Sequence, residues 1–180
     1  VKYTPGYGRS YTPPSQELRD LIARMKLVPI KEVIKDNRIL ICEDSIVRGT
    51  QLKNFTVKKL WDRGAKEVHV RPACPPLMYP CRFNLSTRGI SELAARKAIR
   101  QIEGRDIEDV SEYIDSKSKK YKKMVDLIAK DIDVTTLRYQ TIEDMVEAIG
   151  LPKERLCLYC WTGVCPDRVN KKKNAKVNGP

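Results

Sequence analysis

The sequence predicts an α/β fold, with a parallel sheet core followed by a mostly helical C-terminal extension that carries a cysteine site. Three observations lead there. The apolar run "ILIC" at residues 39–42 is followed by a polar loop, an amphipathic helical stretch and a second strand-like run, "KEVHVRP" at 66–72. Strand, loop, helix, strand is a βαβ unit, whose strands run parallel. Beyond residue 72 the apolar spacing turns helical, and cysteines gather in "YPCRFN" and "LCLYCWTGVC".

The elements follow in order. "PSQELRDLIARMKL" opens with Pro14 and Ser15 as N-cap, places Leu18, Leu21, Ile22 and Met25 at helical spacing, and is closed by Pro29. "IKEVIKDNR" reads as a connection. Ile39, Leu40, Ile41 and Cys42 read as a strand buried on both faces, with Cys42 in the core. In "TQLKNFTVKKLWDRG", Leu52, Phe55, Val57, Leu60 and Trp61 mostly share a face; Thr50 suits the N-cap and Gly64 a left-handed C-cap. "CPPLMYPCRFNLSTRG" is irregular, "ISELAARKAIRQIEG" is a helix ended by Gly104, and a lysine-rich helix follows near 117–130. A short strand at "TTLRY" precedes "TIEDMVEAIG", where Thr141 and Asp144 have the spacing of a capping box. The single histidine, His69, alternates with Val68 and Val70 and reads as structural.

Composition narrows the function classes. The chain has 180 residues, enough for a real core, and no apolar run approaches the roughly 20 residues that cross a membrane. No signal-peptide pattern opens it, so a cytoplasmic location is expected. The net charge is +12, but "KKKNAKVNGP" holds four lysines and "SKSKKYKK" five, neither with an acid. Most of the excess therefore sits in a basic tail, expected to be disordered, and on one helix face, which disfavours nucleic acid as a partner. Six cysteines in such a chain point to metal ligands or reduced thiols rather than disulfides. The chain opens at Val1, ahead of its first helix signal, which suggests a piece of a longer protein.

The chemistry concentrates in "ICEDSIVRGTQ" at 41–51. A loop that feeds a helix from a parallel strand presents free backbone N–H groups, which is where phosphate binds. Ser45 and Thr50 add hydroxyls, and Gly49 lets the backbone approach an anion. Glu43 and Asp44 would repel a phosphate, so they need another task, and vicinal ribose hydroxyls supply one. The stretch reads as a ribose 5-phosphate cradle formed by Glu43, Asp44, Ser45, Ile46, Val47, Arg48, Gly49 and Thr50.

"ILICEDSIVRGTQ" resembles the thirteen-residue phosphoribosylpyrophosphate (PRPP) motif of type I phosphoribosyltransferases. Together with "GRSYTPPSQELRDLIARMKL", "GAKEVHVRPACPPLMYPC" and "LCLYCWTG", it is similar to glutamine PRPP amidotransferases over about residues 1–168. The resemblance implies a partial type I phosphoribosyltransferase fold, in which residues 1–72 hold the core part, a flexible-loop remnant and the PRPP loop. Residues 73–168 would form the helical extension with the cysteine cluster, and 169–180 the tail. It implies an enzyme of purine biosynthesis that transfers ammonia from glutamine to C1 of PRPP, giving 5-phosphoribosylamine and pyrophosphate.

The resemblance further implies Mg2+ at the pyrophosphate and catalytic cations at Arg9, Arg24 and Lys26, the last two being as readily solvated helix residues. Cys81, Cys157 and Cys160 match three thiolate ligands of a four-iron four-sulfur cluster, and Cys165 could complete a four-thiolate site as iron–sulfur or zinc. Partners would be PRPP, ammonia from glutamine, an N-terminal glutaminase domain of the parent chain and further copies of the chain, with no membrane. A chain without its glutaminase domain is expected to be inactive alone. Glu43 in place of an Asp, and "GRSYTPP" in place of a Thr-Phe-Ile run, depart from the family pattern. Two other readings are a non-catalytic PRPP-binding regulatory module and a metal-ribbon nucleic-acid binder; the latter leaves the paired acids without a role.

Overall fold

The computed structural model describes residues 28–83 and 89–164. The helix expected at 14–27, with Arg24 and Lys26, lies outside them, as do Arg9, Cys165 and the basic tail. Residues read from sequence as a plain connection include one helical turn, α1 (Lys31–Ile34), anchored by buried Ile34.

β1 (Arg38–Glu43) and β2 (Glu67–Pro72) pair in parallel, from Arg38 opposite Glu67 to Glu43 opposite Pro72. β3 (Thr136–Leu137) adds a third parallel strand beside β2, giving the order β1-β2-β3. The predicted βαβ unit is present, and Pro72, which has no N–H to donate, ends β2.

The sheet is covered on one side only among the described residues. Val68 and Val70 are fully buried there and Leu137 nearly so, and half-buried Ile41 packs on the same core. Successive side chains in a strand point to opposite faces, so Leu40 and Cys42 occupy the other side, where Leu40 is 60% exposed and Cys42 is exposed. This corrects the reading of β1 as buried on both faces and of Cys42 as a core residue. That uncovered side carries polar pairs instead: His69 hydrogen-bonds through Nε2 to Glu67 (2.9 Å) and through Nδ1 to Thr136 (2.8 Å), the structural role expected of it.

From Thr50 the chain is helical, but Leu52–Val57 is wound as a π-helix before α2 (Lys58–Trp61). An i→i+5 bond, Lys58 N–H to the Lys53 carbonyl, closes the wide stretch. The wider winding brings Leu52 and Val57, five residues apart, into the same core. Gly64, at φ +81°, ends the helix in the left-handed conformation as predicted, its N–H donating to Trp61 (2.9 Å).

A 3-10 turn (Ile90–Glu92) leads into α3 (Ala94–Glu103), followed by α4 (Ser111–Ile114) and α5 (Lys119–Asp131). Ser118 caps α5, its Oγ accepting the Tyr121 N–H at 2.9 Å. One apolar core joins Val57, Val68 and Val70 to Met78, Ile99, Tyr113, Met124, Ile128 and Ile132, and runs across residue 72 without interruption. The lysine-rich helix also engages acids: Lys120 pairs with Glu112 (2.8 Å) and Glu103 (3.1 Å), and the Tyr113 hydroxyl donates to Glu103 (2.6 Å).

α6 (Ile142–Ile149) is capped by Thr141, whose Oγ1 accepts the Asp144 N–H at 3.1 Å, and α7 (Tyr159–Thr162) follows a 3-10 turn at Lys153–Arg155. These last elements close over a second, smaller apolar cluster of Cys74, Met145 and Leu158, flanked by Trp161.

Candidate functional site

β1 delivers two adjacent carboxylates to the C-terminal edge of the parallel sheet, where ligands bind in open α/β folds. Alternation along the strand gives them different surroundings. Glu43 shares the face of Ile39 and Ile41 and is half-buried, with its carbonyl accepting the Ala73 N–H at 2.8 Å. Burial, and then the neighbouring Asp44 carboxylate, raise the Glu43 pKa above the ordinary carboxylate range. Asp44 is exposed, and its Oδ1 accepts the Ser45 N–H at 2.6 Å and the Ser45 hydroxyl at 3.4 Å.

Each of the next four residues is fixed by a different contact. The Ile46 side chain is 3% exposed and belongs to the core, so it offers a site only its backbone. The Val47 carbonyl accepts the Ala94 N–H at 2.8 Å. Arg48 donates through Nε to Glu92 Oε2 at 3.0 Å and through Nη2 to the same oxygen. Gly49 adopts φ +77°, and a Cβ there would lie 2.9 Å from Ile132 Cγ2, so both backbone angle and space require glycine.

Thr50 is exposed and already helical, which corrects its expected role as N-cap; Gly49 takes that place, its carbonyl accepting the Lys53 N–H at 2.9 Å. The first turn of this helix carries N–H groups without intrahelical acceptors, beside the Ser45 and Thr50 hydroxyls and downstream of two acids. A polyol bearing a phosphate matches that sequence of groups. Glu92 and Ala94, which hold the loop, were not foreseeable: they lie more than forty residues downstream, and an acid ahead of a helix reads from sequence as helix-start chemistry.

The cysteines converge through backbone contacts. The Cys160 carbonyl accepts the N–H groups of Met78 (2.9 Å) and Tyr79 (3.0 Å), Tyr79 packs on Tyr159 with ring centroids 5.8 Å apart, and Arg82 lies 4.6 Å over the Tyr159 ring. Gly163 allows this closeness, since a Cβ there would meet the Tyr79 ring at 2.8 Å. The Cys81 and Cys157 thiols thereby become neighbours of Cys160. Burial first, and then those two sulfurs, push the Cys160 thiol up to about 11.

Three thiols fall short of the four that a structural zinc or a cubane cluster takes. Among the described residues no group of three or more His, Cys, Asp or Glu is disposed to hold a metal ion, and Cys165 lies outside them, so the described thiols alone do not fit the group. Cys42, Cys74, Cys81, Cys157 and Cys160 are all free thiols. Cys74 sits elsewhere, packed with Met145, Leu158 and Trp161: burial pushes its thiol up to about 11, the Trp161 indole pulls the other way, and the Asp44 charge adds to the rise.

No protein-family model matches the chain. An amidophosphoribosyltransferase from Methanocaldococcus jannaschii is 34% identical over 166 residues, covering 92% of this chain and 29% of that protein. Another, from Pyrococcus horikoshii, is 51% identical over 96 residues, which is 53% of this chain and 21% of the relative. The solved structure of glutamine PRPP amidotransferase from B. subtilis, complexed with ADP and GMP, superposes with a TM-score of 0.58 at 31% identity, covering 88% of this chain and 30% of that one. The chain thus spans less than a third of the length of the relatives it matches, within their C-terminal part. The loop, the sheet it springs from and these likenesses agree, and the chain belongs to the amidophosphoribosyltransferase family, matching the C-terminal part of its type I phosphoribosyltransferase domain.

Proposed function

We propose that this chain supplies the ribose 5-phosphate cradle of an amidophosphoribosyltransferase, which transfers ammonia derived from glutamine to C1 of PRPP and so yields 5-phosphoribosylamine and pyrophosphate in purine biosynthesis. The observation that carries the reading is the strand-to-helix loop in which two acids precede a backbone fixed at Ile46, Val47, Arg48 and Gly49.

In the reaction the ammonia lone pair forms the C1–N bond while the C1–O bond to pyrophosphate breaks, pyrophosphate leaving with the electron pair and one ammonia proton being lost. Positive charge builds on the ribose ring as the leaving group departs. Asp44 and ionised Glu43 accept hydrogen bonds from the 2′- and 3′-hydroxyls and hold the ring below that charge. Backbone N–H groups of the 46–50 loop, with the Ser45 and Thr50 hydroxyls, receive the 5′-phosphate. Arg9, Arg24 and Lys26 are the cations assigned to the departing pyrophosphate. Mg2+, held through substrate oxygens and water, would neutralise the pyrophosphate charge.

Cys81, Cys157, Cys160 and Cys165 are proposed as the thiolate set of an iron–sulfur cluster or a zinc ion, structural in either case. The whole enzyme is proposed to be a cytoplasmic homo-oligomer that also contains a glutaminase domain. Functionally, 1–72 would serve the PRPP site and 73–168 the cysteine site.

The test is calorimetric titration of PRPP with Mg2+ into the chain, beside a Glu43→Ala, Asp44→Ala double variant. The expected result is binding that the double variant loses. Equal binding by both proteins would remove the acids from the cradle.

A further inference from the structure

The PRPP loop is held from outside by a short stretch more than forty residues downstream, and that stretch carries a charge aimed at the loop. Glu92 meets Arg48 through two guanidinium nitrogens, and two residues later the Ala94 N–H holds the Val47 carbonyl at 2.8 Å. Both contacts come from the junction between the 3-10 turn at Ile90–Glu92 and α3. Buried Ile46 and left-handed Gly49 fix the loop at its two ends. Between them the Arg48–Glu92 pair anchors the loop through side chains.

We propose that Glu92 is a positioning residue for phosphate-bearing ribose ligands, acting through Arg48 to set the loop's backbone. Without its carboxylate, Arg48 loses this pair, and the peptide units on either side of it lose one of their restraints. Those peptide units carry N–H groups assigned above to the 5′-phosphate, so the inference rests on the cradle reading. A site built from backbone donors depends on their preorganisation, because donors that must be ordered on binding subtract that cost from affinity.

The pair is exposed on both sides, with the Arg48 and Glu92 side chains 47% and 42% accessible. Its loss therefore costs little folding stability, and its effect belongs in ligand affinity. That separation makes the idea testable on the whole chain with ribose 5-phosphate as the probe, by calorimetry and thermal melting. Glu92→Gln and Arg48→Met should each weaken ribose 5-phosphate binding about fivefold, the affinity equivalent of one well-formed exposed ion pair, while the melting temperature barely moves. The double variant should bind no more weakly than either single one, since both remove the same interaction. Glu92→Asp should recover part of the loss.

Unchanged affinity in Glu92→Gln, alongside binding by the original chain that Asp44→Asn abolishes, would overturn the role of Glu92 and leave the cradle standing. Additive losses in the double variant would overturn the action through Arg48. No binding of ribose 5-phosphate by the folded original chain would overturn the cradle and this inference together.

Discussion

At the scale of single residues, the two acids that look alike in the sequence are unlike in the fold. Adjacency of Glu43 and Asp44 is read directly from the sequence. Which one would be half-buried was not, since the phase of a strand's alternation depends on which face the helices cover. The same gap explains Cys42, an apolar neighbour of buried strand residues that ends exposed. The raised pKa of Glu43, caused by burial and then by Asp44, has a definite sign. The folded chain holds this proton more tightly than the unfolded chain, so the residue's stabilising contribution is present below the ordinary carboxylate range and lost as pH rises through the raised value. Glu43→Gln, which imitates the protonated form, should therefore raise stability at about pH 7 by less than about 1 kcal/mol after solvent screening, and the gain should shrink toward about pH 4. Thermal melts of both proteins across that range check it. A variant less stable than the original at pH 7 would mean that the ionised carboxylate is favourably partnered.

At the scale of elements, the βαβ unit and the helix stops at Gly64 and Gly104 were legible because they rest on local rules: apolar spacing sets type, and a residue free to take positive φ sets the end. The π-wound stretch was not, because nothing local favours i→i+5 bonds in "LKNFTV"; burial of both Leu52 and Val57 selects them. α3 shows a second tertiary override. Arg96 falls at a position the core encloses, 4% exposed, and only its Nη2 finds an acceptor, the Ile107 carbonyl at 2.6 Å. Its Nε and Nη1 are buried with no hydrogen-bond partner among the described residues. A buried cation with two unmet donors costs more than an apolar chain of similar length. Arg96→Met should thus be neutral or stabilising by up to about 2 kcal/mol, whereas Arg96→Ala, which empties the space, should destabilise. Urea denaturation of the two variants decides the matter, and a methionine variant as unstable as the alanine one would show that the guanidinium has partners of its own.

At the scale of the molecule, segments far apart in the sequence pack together around Trp161 and Gly163. Cys74 packs with Leu158 and Trp161 beside the Cys157-x-x-Cys160 pair, while the Cys160 carbonyl receives the N–H groups of Met78 and Tyr79. Sequence could name the cysteines by spacing, but their meeting depends on Tyr79 seating over Gly163, a contact no periodicity encodes. These contacts fasten the last elements to the 74–83 segment, and among the described residues their own cluster has Cys74, Met145 and Leu158 as buried members. If Cys81, Cys157 and Cys160 are joined by Cys165 around a metal or cluster, binding that group stabilises the fold in proportion to its affinity. The chain produced with iron and sulfide, or with zinc, should then carry metal and melt higher than the metal-free chain. Cys160→Ser should lose the metal and that gain together, while Cys42→Ser, whose thiol is exposed on β1, should keep both. Elemental analysis paired with melting temperatures reads the outcome. Equal metal content in the two variants would place the group away from these thiols and leave the junction between α7 and the 74–83 segment to hydrogen bonds and ring packing alone.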